Sequence, residues 1–188
     1  VEETSSRHGD MCGDAEKETL LKEEAVSQYR ALVARANYLA QDRSDIQYAV
    51  KELCRRMSSP SESDLVGLKR LGRYLLGRPR AVSQFHWQDA GDTQDTYSDA
   101  SWAGCRASRK STSGGAILRG SHCLRSWSKT QSTVAQSSAE SELFGTVRAA
   151  TESLGMAALA QDLGIHLETR LHVDASAALG ILERRGVG

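Results

Sequence analysis

The sequence carries no net charge. Its 24 Lys and Arg residues balance 24 Asp and Glu, so there is no overall basic signature of nucleic-acid binding, and local clusters must carry any such role. The four cysteines, Cys12, Cys54, Cys105 and Cys123, are widely spaced and form no CxxC pair, which speaks against a zinc ribbon. Five histidines are scattered without HxxxH spacing, removing the simplest helical zinc motif. No apolar run approaches the ~20 residues that span a bilayer, so no membrane partner is expected. Nothing resembling a signal peptide points to an oxidising compartment. Reduced thiols in an intracellular protein, cytoplasmic or nuclear rather than secreted, are the expectation.

What is present divides into three parts. Residues 1–26 are charged or small with few large apolar side chains, and a flexible polar arm is expected there. Residues 27–80 read as an all-α appendage. Its first helix carries Leu32, Val33, Ala36, Leu39 and Ala40 at helical spacing, and its second carries Ile46, Ala49, Val50, Leu53 and Met57. Ser58, Ser59 and Pro60 end that second helix. A third helix, capped by Ser61 or Ser63, is expected to turn Leu65, Leu68, Leu75 and Leu76 inward before Gly77 and Pro79 stop it.

Residues 81–188 change character. Val82, Phe85 and Trp87 are strand-like, and a polar loop follows them. A strand is expected through Thr96 to Asp99, a second through Ala116, Ile117 and Leu118, and a hairpin turn at Gly120-Ser121 into a third around Trp127. Ser137 and Ser138 precede a helical pattern of Leu143, Val147, Ala150 and Leu154. Leu167, Thr169, Leu171 and Val173 then alternate as a strand, and Ala177, Ala178, Ile181 and Leu182 suit a last helix. A strand reached by a helical crossover implies a parallel pair and hence a mixed α/β sheet.

Three acids stand where a sheet enzyme would place a metal site: Asp99 in the first strand, Glu142 in the helix and Asp174 at the end of the later strand. Carboxylates gathered from separate elements make a hard, oxygen-lined pocket suited to Mg²⁺, and two such ions can support phosphodiester hydrolysis. Taken singly, each has a plainer reading. Asp99 could simply close a strand, Glu142 could be a solvated helix residue, and Asp174 could cap the next helix.

The ordered blocks YSDASWAG, RKSTSGGAILRG, WSKTQSTVAQSSAESEL and VDASAALGIL resemble the ribonuclease H domain of copia-type retrotransposon polyproteins. YRALVARANYLAQDRSDIQYAVKELCRRMSSP and LKRLGRYLLG are similar to the end of the reverse transcriptase of the same polyproteins. The resemblance covers about residues 28–188. It implies a five-stranded mixed sheet flanked by helices, Mg²⁺- or Mn²⁺-dependent cleavage of RNA in an RNA–DNA hybrid with two ions in a complete site, and the rest of the polyprotein as a partner.

The family uses four acids. By this resemblance Asp99 matches the first-strand acid that bridges the metals, and Asp174 matches the acid ending the fourth strand. Glu140 and Glu142 compete for the helical position. Two residues apart, they point about 200° apart on a helix, so one of them faces the metals. Glu142, followed by Leu143, is taken, with Glu140 as its competitor. The fourth acid has no match before Gly188, which leaves open an endonuclease of low turnover or an inactive nucleic-acid-binding or structural module. An integrase-like core would need a late-helix acid such as Glu183, and the motif order fits it poorly. Where the family has Arg-Pro-Asp, this chain has Arg43-Ser44-Asp45.

Arg106, Arg109 and Lys110 with Ser111, Thr112 and Ser113 form a basic, hydroxyl-rich loop after the Asp99 strand. Beside an acid site, Arg109, Lys110, Ser111 and Thr112 are candidates for phosphate contacts. Lys129, Thr130 and Gln131 are similar in kind and weaker. Ser137 and Ser138 are read as helix caps, and the unmatched hydroxyl, assigned to Ser138, could face a ribose. Trp102 and Trp127 could stack on bases or fill space near the sheet. His172 beside Asp174 has no serine elbow to complete a triad.

Overall fold

The structure, a computed structural model, describes residues 19–89, 91–174 and 180. Most of the expected polar arm and all of the expected last helix except Gly180 lie outside the described residues.

Helix α1 (Glu23–Leu39) begins earlier than the apolar pattern from Ser27, with Glu23 and Glu24 in its first turn where the helix dipole favours acids. Its buried face is Tyr29, Val33 and Ala36, continued by Ala40. Leu32 and Leu39, expected inward, are exposed, because the i, i+4, i+7 row through Tyr29 sets the face. The Tyr29 hydroxyl donates to the Leu53 carbonyl oxygen at 2.9 Å, which provides a buried partner for its polar end. A 3-10 turn (Ser44–Ile46) leads into α2 (Gln47–Arg55), whose Val50 and Leu53 are buried with Ile46 against α1. Burying side chains of this kind contributes about 1.5–3 kcal/mol each. Helix α3 (Glu62–Gly77) opens with a capping box between Ser61 and Asp64. It buries Leu68 and Leu71, while Leu76 faces solvent.

Arg43 closes this helical unit. It is buried, donates to both carboxylate oxygens of Asp45 at 2.9 and 2.7 Å, and donates to the Arg78 carbonyl oxygen at 3.1 Å. The Tyr74 hydroxyl donates to the same carboxylate at 2.8 Å.

Strands β1 (Thr93–Ser101), β2 (Thr112–Arg119), β3 (His122–Thr130) and β4 (Glu168–Val173) form a mixed sheet in the order β3-β2-β1-β4. β1 and β2 are antiparallel, as are β2 and β3, and β4 runs parallel to β1. The expected hairpin turn falls at Gly120-Ser121, with Gly120 at φ +58°, a conformation that favours glycine. Among the described residues the sheet has four strands, not the five that the resemblance implies. Val82, Phe85 and Trp87 belong to no strand, and all three are exposed, Trp87 to 98%. Strand-like residue types do not make a strand here: among the described residues no backbone ladder pairs this segment with a neighbour.

Helix α4 (Ser138–Asp162) supplies the crossover and lies on one sheet face. Its inward row is Ser141, Gly145, Ala149 and Ser153, not the Leu143–Leu154 stripe that periodicity favours; Val147 and Leu154 are exposed. Small residues let the helix approach closely. A Cβ at Gly145 would stand 3.3 Å from Ser98 Oγ and 3.4 Å from Ala100 Cβ. The contact layer is largely polar. Gln94 Nε2 donates to the Ser153 carbonyl at 2.8 Å and to Thr169 Oγ1 at 2.9 Å, and Thr96 and Ser153 share a hydroxyl hydrogen bond of 2.8 Å.

The helical unit packs on the sheet through one face of α2. Gln47, Lys51 and Arg55, spaced by four, reach Ser126, Thr112 and Cys105 respectively. Gln47 exchanges two hydrogen bonds with Ser126, through the Ser126 carbonyl at 3.3 Å and its hydroxyl at 3.2 Å. Lys51 Nζ donates to Thr112 Oγ1 at 2.8 Å, and Arg55 Nη2 to Cys105 Sγ at 2.7 Å.

Candidate metal centre

Alternation along β1 decides which side chains meet. Gln94, Thr96 and Ser98 are buried beneath α4, so Tyr97 and Asp99 project from the opposite, exposed face. In the parallel pairing Val173 lies beside Ser98, so Asp174, the next residue of the chain, comes up beside Asp99. The third acid arrives from α4. Ser137 caps that helix, its Oγ accepting from the Glu140 amide at 3.1 Å, and one turn later Glu142 leans over the end of β1. There Glu142 Oε1 accepts the Ala100 backbone N–H at 3.3 Å.

Carboxylate oxygens of Asp99, Glu142 and Asp174 all lie within 4.8 Å of one another. Asp99 and Asp174 are exposed and Glu142 is half-buried. Burial holds the Glu142 carboxyl above the ordinary carboxylate range, the Asp99 charge adds to the rise, the Ala100 amide opposes it, and Asp174 raises it further. Glu142 Oε2 is buried and has no hydrogen-bond partner among the described residues. An orphaned carboxylate oxygen among like charges is costly unless a cation neutralises it. Three hard oxygen donors from three elements are the donor set that Mg²⁺ or Mn²⁺ takes. The residues fit such an ion.

Glu140 is held elsewhere. Its Oε2 accepts the Gln136 amide at 2.7 Å, and it forms no part of the three-acid group. His172 turns from Asp174 to Asp95, with Nε2 at 2.7 Å from Asp95 Oδ1, and stacks on Tyr97 at 4.6 Å between ring centroids.

The loop after β1 is braced from within. The Ala103 amide donates to Ser111 Oγ at 3.0 Å, Trp102 Nε1 donates to the Ala135 carbonyl at 3.1 Å, and the Arg109 amide donates to the Cys105 carbonyl at 2.7 Å. Ser111 is fully buried, and the Thr112 hydroxyl is engaged by Lys51. Arg109, at φ +55°, is exposed, and Lys110 is half-buried. Ser138, the first residue of α4, is exposed, and it is its neighbour Ser137 that caps the helix. Trp127 is buried at the sheet in contact with Ile117 and Ala149.

Sequence reasoning missed Gln131 as a positioning residue. Its Nε2 donates to Ser113 Oγ at 2.9 Å and to the Ser141 carbonyl at 2.8 Å, fastening the start of α4 to β2. The readable signal was the Ser141, Gly145, Ala149, Ser153 spacing, which marks a helix face built for close approach.

Over 143 residues, three quarters of this chain (75%), it is 37% identical to the retrovirus-related Pol polyprotein from transposon RE1 of Arabidopsis thaliana. It is also 37% identical over 127 residues (67% of this chain) to an uncharacterized mitochondrial protein of the same plant, and 37% identical over 113 residues (60% of this chain) to secreted RxLR effector protein 161 of Plasmopara viticola. The chain spans 10% of the length of the first, 52% of the second and 78% of the third. No protein-family model matches it, and no solved structure does. By these comparisons it is distantly similar to a region of copia-type retrotransposon Pol polyproteins. No helix among the described residues is long and apolar enough to cross a membrane.

Proposed function

We propose that this relative of retrotransposon Pol polyproteins is a ribonuclease H-type endonuclease domain that hydrolyses the RNA strand of an RNA–DNA hybrid, with Asp99, Glu142 and Asp174 as its metal-holding acids. The observation that carries the reading is the convergence of their carboxylate oxygens within 4.8 Å, from residues far apart in sequence. The mixed sheet with one acid on a central strand, one on the adjoining parallel strand and one on the crossover helix supports the ribonuclease H-like fold that the motifs imply. A divalent cation bound there supplies activation of water and charge stabilisation at the leaving oxygen.

The chain's own residues do the positioning. The Ala100 N–H fixes one Glu142 oxygen and leaves the other, buried one without a protein partner among the described residues. Asp99 and Asp174, on the exposed sheet face, leave that side open to a phosphodiester. Arg109 and Lys110 offer charge to backbone phosphates, and the free hydroxyl position of Ser138 offers a contact to a ribose. Ser111 and Thr112 act indirectly, by shaping the loop.

A second reading is a nucleic-acid-binding or structural module without turnover. Hybrid cleavage and Mn²⁺ binding, measured on this chain and on Asp99→Asn, separate the two. The nuclease reading expects metal-dependent cleavage that Asp99→Asn abolishes together with tight Mn²⁺ binding. Metal binding without cleavage would favour the second reading. Mn²⁺ binding unchanged in Asp99→Asn would remove both the site and the nuclease.

A further inference from the structure

The acids of the two strands are not held alike. Asp99 belongs to β1, which is paired on both sides, by β2 and by β4. Asp174 directly follows β4, an edge strand among the described residues, and the last ladder position before it is Val173. A strand end held by a ladder on one side is free to fray. The place of Asp174 therefore depends on what else fastens the end of β4 to β1.

That fastening lies one row before the acids. Tyr97 and His172 are direct partners in the β1–β4 register, and each stands two residues before its acid. Strand alternation sets both on the sheet face that carries Asp99. Their rings stack with centroids 4.6 Å apart and planes 12° from parallel. His172 Nε2 also donates to Asp95 Oδ1, two residues further back along β1, at 2.7 Å. Both rings are exposed, so neither is there to fill the core. None of the three side chains is a ligand. Asp95 stands four residues from Asp99, about 13 Å along the strand, and the three-acid group includes neither Asp95 nor His172. A cleft of about 520 Å³ nevertheless joins the stacked pair to the site, with Tyr97, His172 and Asp174 all in its lining.

We propose that Tyr97, His172 and Asp95 form a positioning clasp for the metal centre, which fixes the separation of the Asp99 and Asp174 carboxylates and so the size of cation the site accepts. The clasp rests on the reading of Asp99, Glu142 and Asp174 as metal-holding acids, and not on hybrid cleavage. A small ion such as Mg²⁺ demands short bonds in near-octahedral order, whereas Ca²⁺ takes longer bonds and looser geometry. Releasing the end of β4 therefore weakens the smaller ions more than it weakens Ca²⁺.

The test is binding of Mn²⁺ to the full chain, read from the loss of the free-ion electron paramagnetic resonance signal, with Ca²⁺ affinity taken from competition against Mn²⁺. Tyr97→Ala and His172→Ala are expected to weaken Mn²⁺ on the order of tenfold and Ca²⁺ much less, so that discrimination between the two narrows. Tyr97→Phe keeps the ring and should match the parent. Asp95 separates geometry from charge. Asp95→Asn keeps an oxygen for His172 and should retain most of the affinity that Asp95→Ala loses. Melting curves in chelator establish that each variant is folded at the binding temperature, and Tyr97→Leu and His172→Gln replace an alanine variant that is not. A lowered melting temperature with an unchanged ratio of Mn²⁺ to Ca²⁺ affinity would overturn the clasp, because the stack would then be structural only. Equal weakening in Asp95→Asn and Asp95→Ala would also overturn it, since the carboxylate would be acting through its charge. A parent that binds Mn²⁺ through Asp99, with an affinity indifferent to Tyr97 and His172, removes the clasp and keeps the metal centre. A parent that binds no Mn²⁺, or binds it equally in Asp99→Asn, removes both.

Discussion

The side-chain amide of Gln131 donates to the main-chain oxygen of Ser141 at 2.8 Å, one residue before Glu142. The same nitrogen reaches Ser113 Oγ on β2. One side chain thus sets how the first turn of α4 meets the sheet, and with it where the Glu142 carboxylate points. Gln131→Ala removes the side-chain partner of the buried Ser113 and Ser141 hydroxyls, a loss of about 1–3 kcal/mol. Urea denaturation should show that loss, and Mn²⁺ affinity should fall with it. Affinity equal to that of the parent chain would mean that Glu142 is positioned by other means.

Two adjacent glycines in β2 should respond in opposite ways. A Cβ on Gly115 would sit 2.2 Å from Trp127 Cζ2 and 2.6 Å from the Tyr97 carbonyl oxygen, whereas one on Gly114 meets nothing closer than 3.9 Å. Gly115→Ala is expected to cost about 1–3 kcal/mol through displacement of the indole ring. Gly114→Ala is expected to stay within about 0.5 kcal/mol of the parent. Thermal melts of the pair decide it, and equal melting temperatures would contradict the close packing of Trp127 on Gly115.

Glu142 makes stability depend on pH and on divalent cations together. Its proton affinity in the folded chain is raised, first by burial and then by Asp99. The folded state therefore binds this proton more tightly than the unfolded one. As pH rises from the unfolded value of about 4.3 through the raised folded value, this group makes the fold progressively less stable. A cation among the three carboxylates relieves the repulsion. Mg²⁺ should thus raise the melting temperature more at neutral pH than in mild acid, and Glu142→Gln should melt higher than the parent in chelator. A Mg²⁺ effect independent of pH would contradict this coupling.

Asp45 gives the opposite slope. The hydrogen bond from Arg43 holds its carboxyl at about 2, with the Tyr74 hydroxyl and the Arg43 charge adding to the effect against the opposing influence of burial. Its contribution is fully present above the unfolded carboxylate value of about 3.9 and is lost as pH falls towards the folded one. The carboxylate is part-exposed, so solvent screening keeps this to about 1 kcal/mol or less. Asp45→Asn should be less stable at neutral pH and should show a flatter stability profile in acid. A parallel profile would mean that the pair does not carry the acid sensitivity.

Much of the element order was legible in the chain. The helical periodicity around Val33, Val50 and Leu68, the Gly120-Ser121 turn and the alternation from Leu167 to Val173 all correspond to observed elements. The inward face of α4 was not legible. Periodicity weights Leu143, Val147 and Leu154, yet the row against the sheet is Ser141, Gly145, Ala149 and Ser153, because close approach to a polar β1 surface selects small hydroxyl-bearing residues over large apolar ones. Val82, Phe85 and Trp87 read as strand-like because residue type is a local property, while a strand also needs a paired neighbour. The three acids were visible as motif residues and could not be joined by spacing. Only the parallel β1–β4 register and the α4 crossover bring positions 99, 142 and 174 to one place.

The row of Gln47, Lys51 and Arg55 along α2 has a practical consequence. A shortened protein starting at β1 would not be the sheet unit made smaller. Ser126 and Thr112 would lose the groups that occupy them, and the Cys105 sulfur would lose the guanidinium resting on it. The helices ahead of the sheet are a working wall of the molecule, so the chain has to be handled whole.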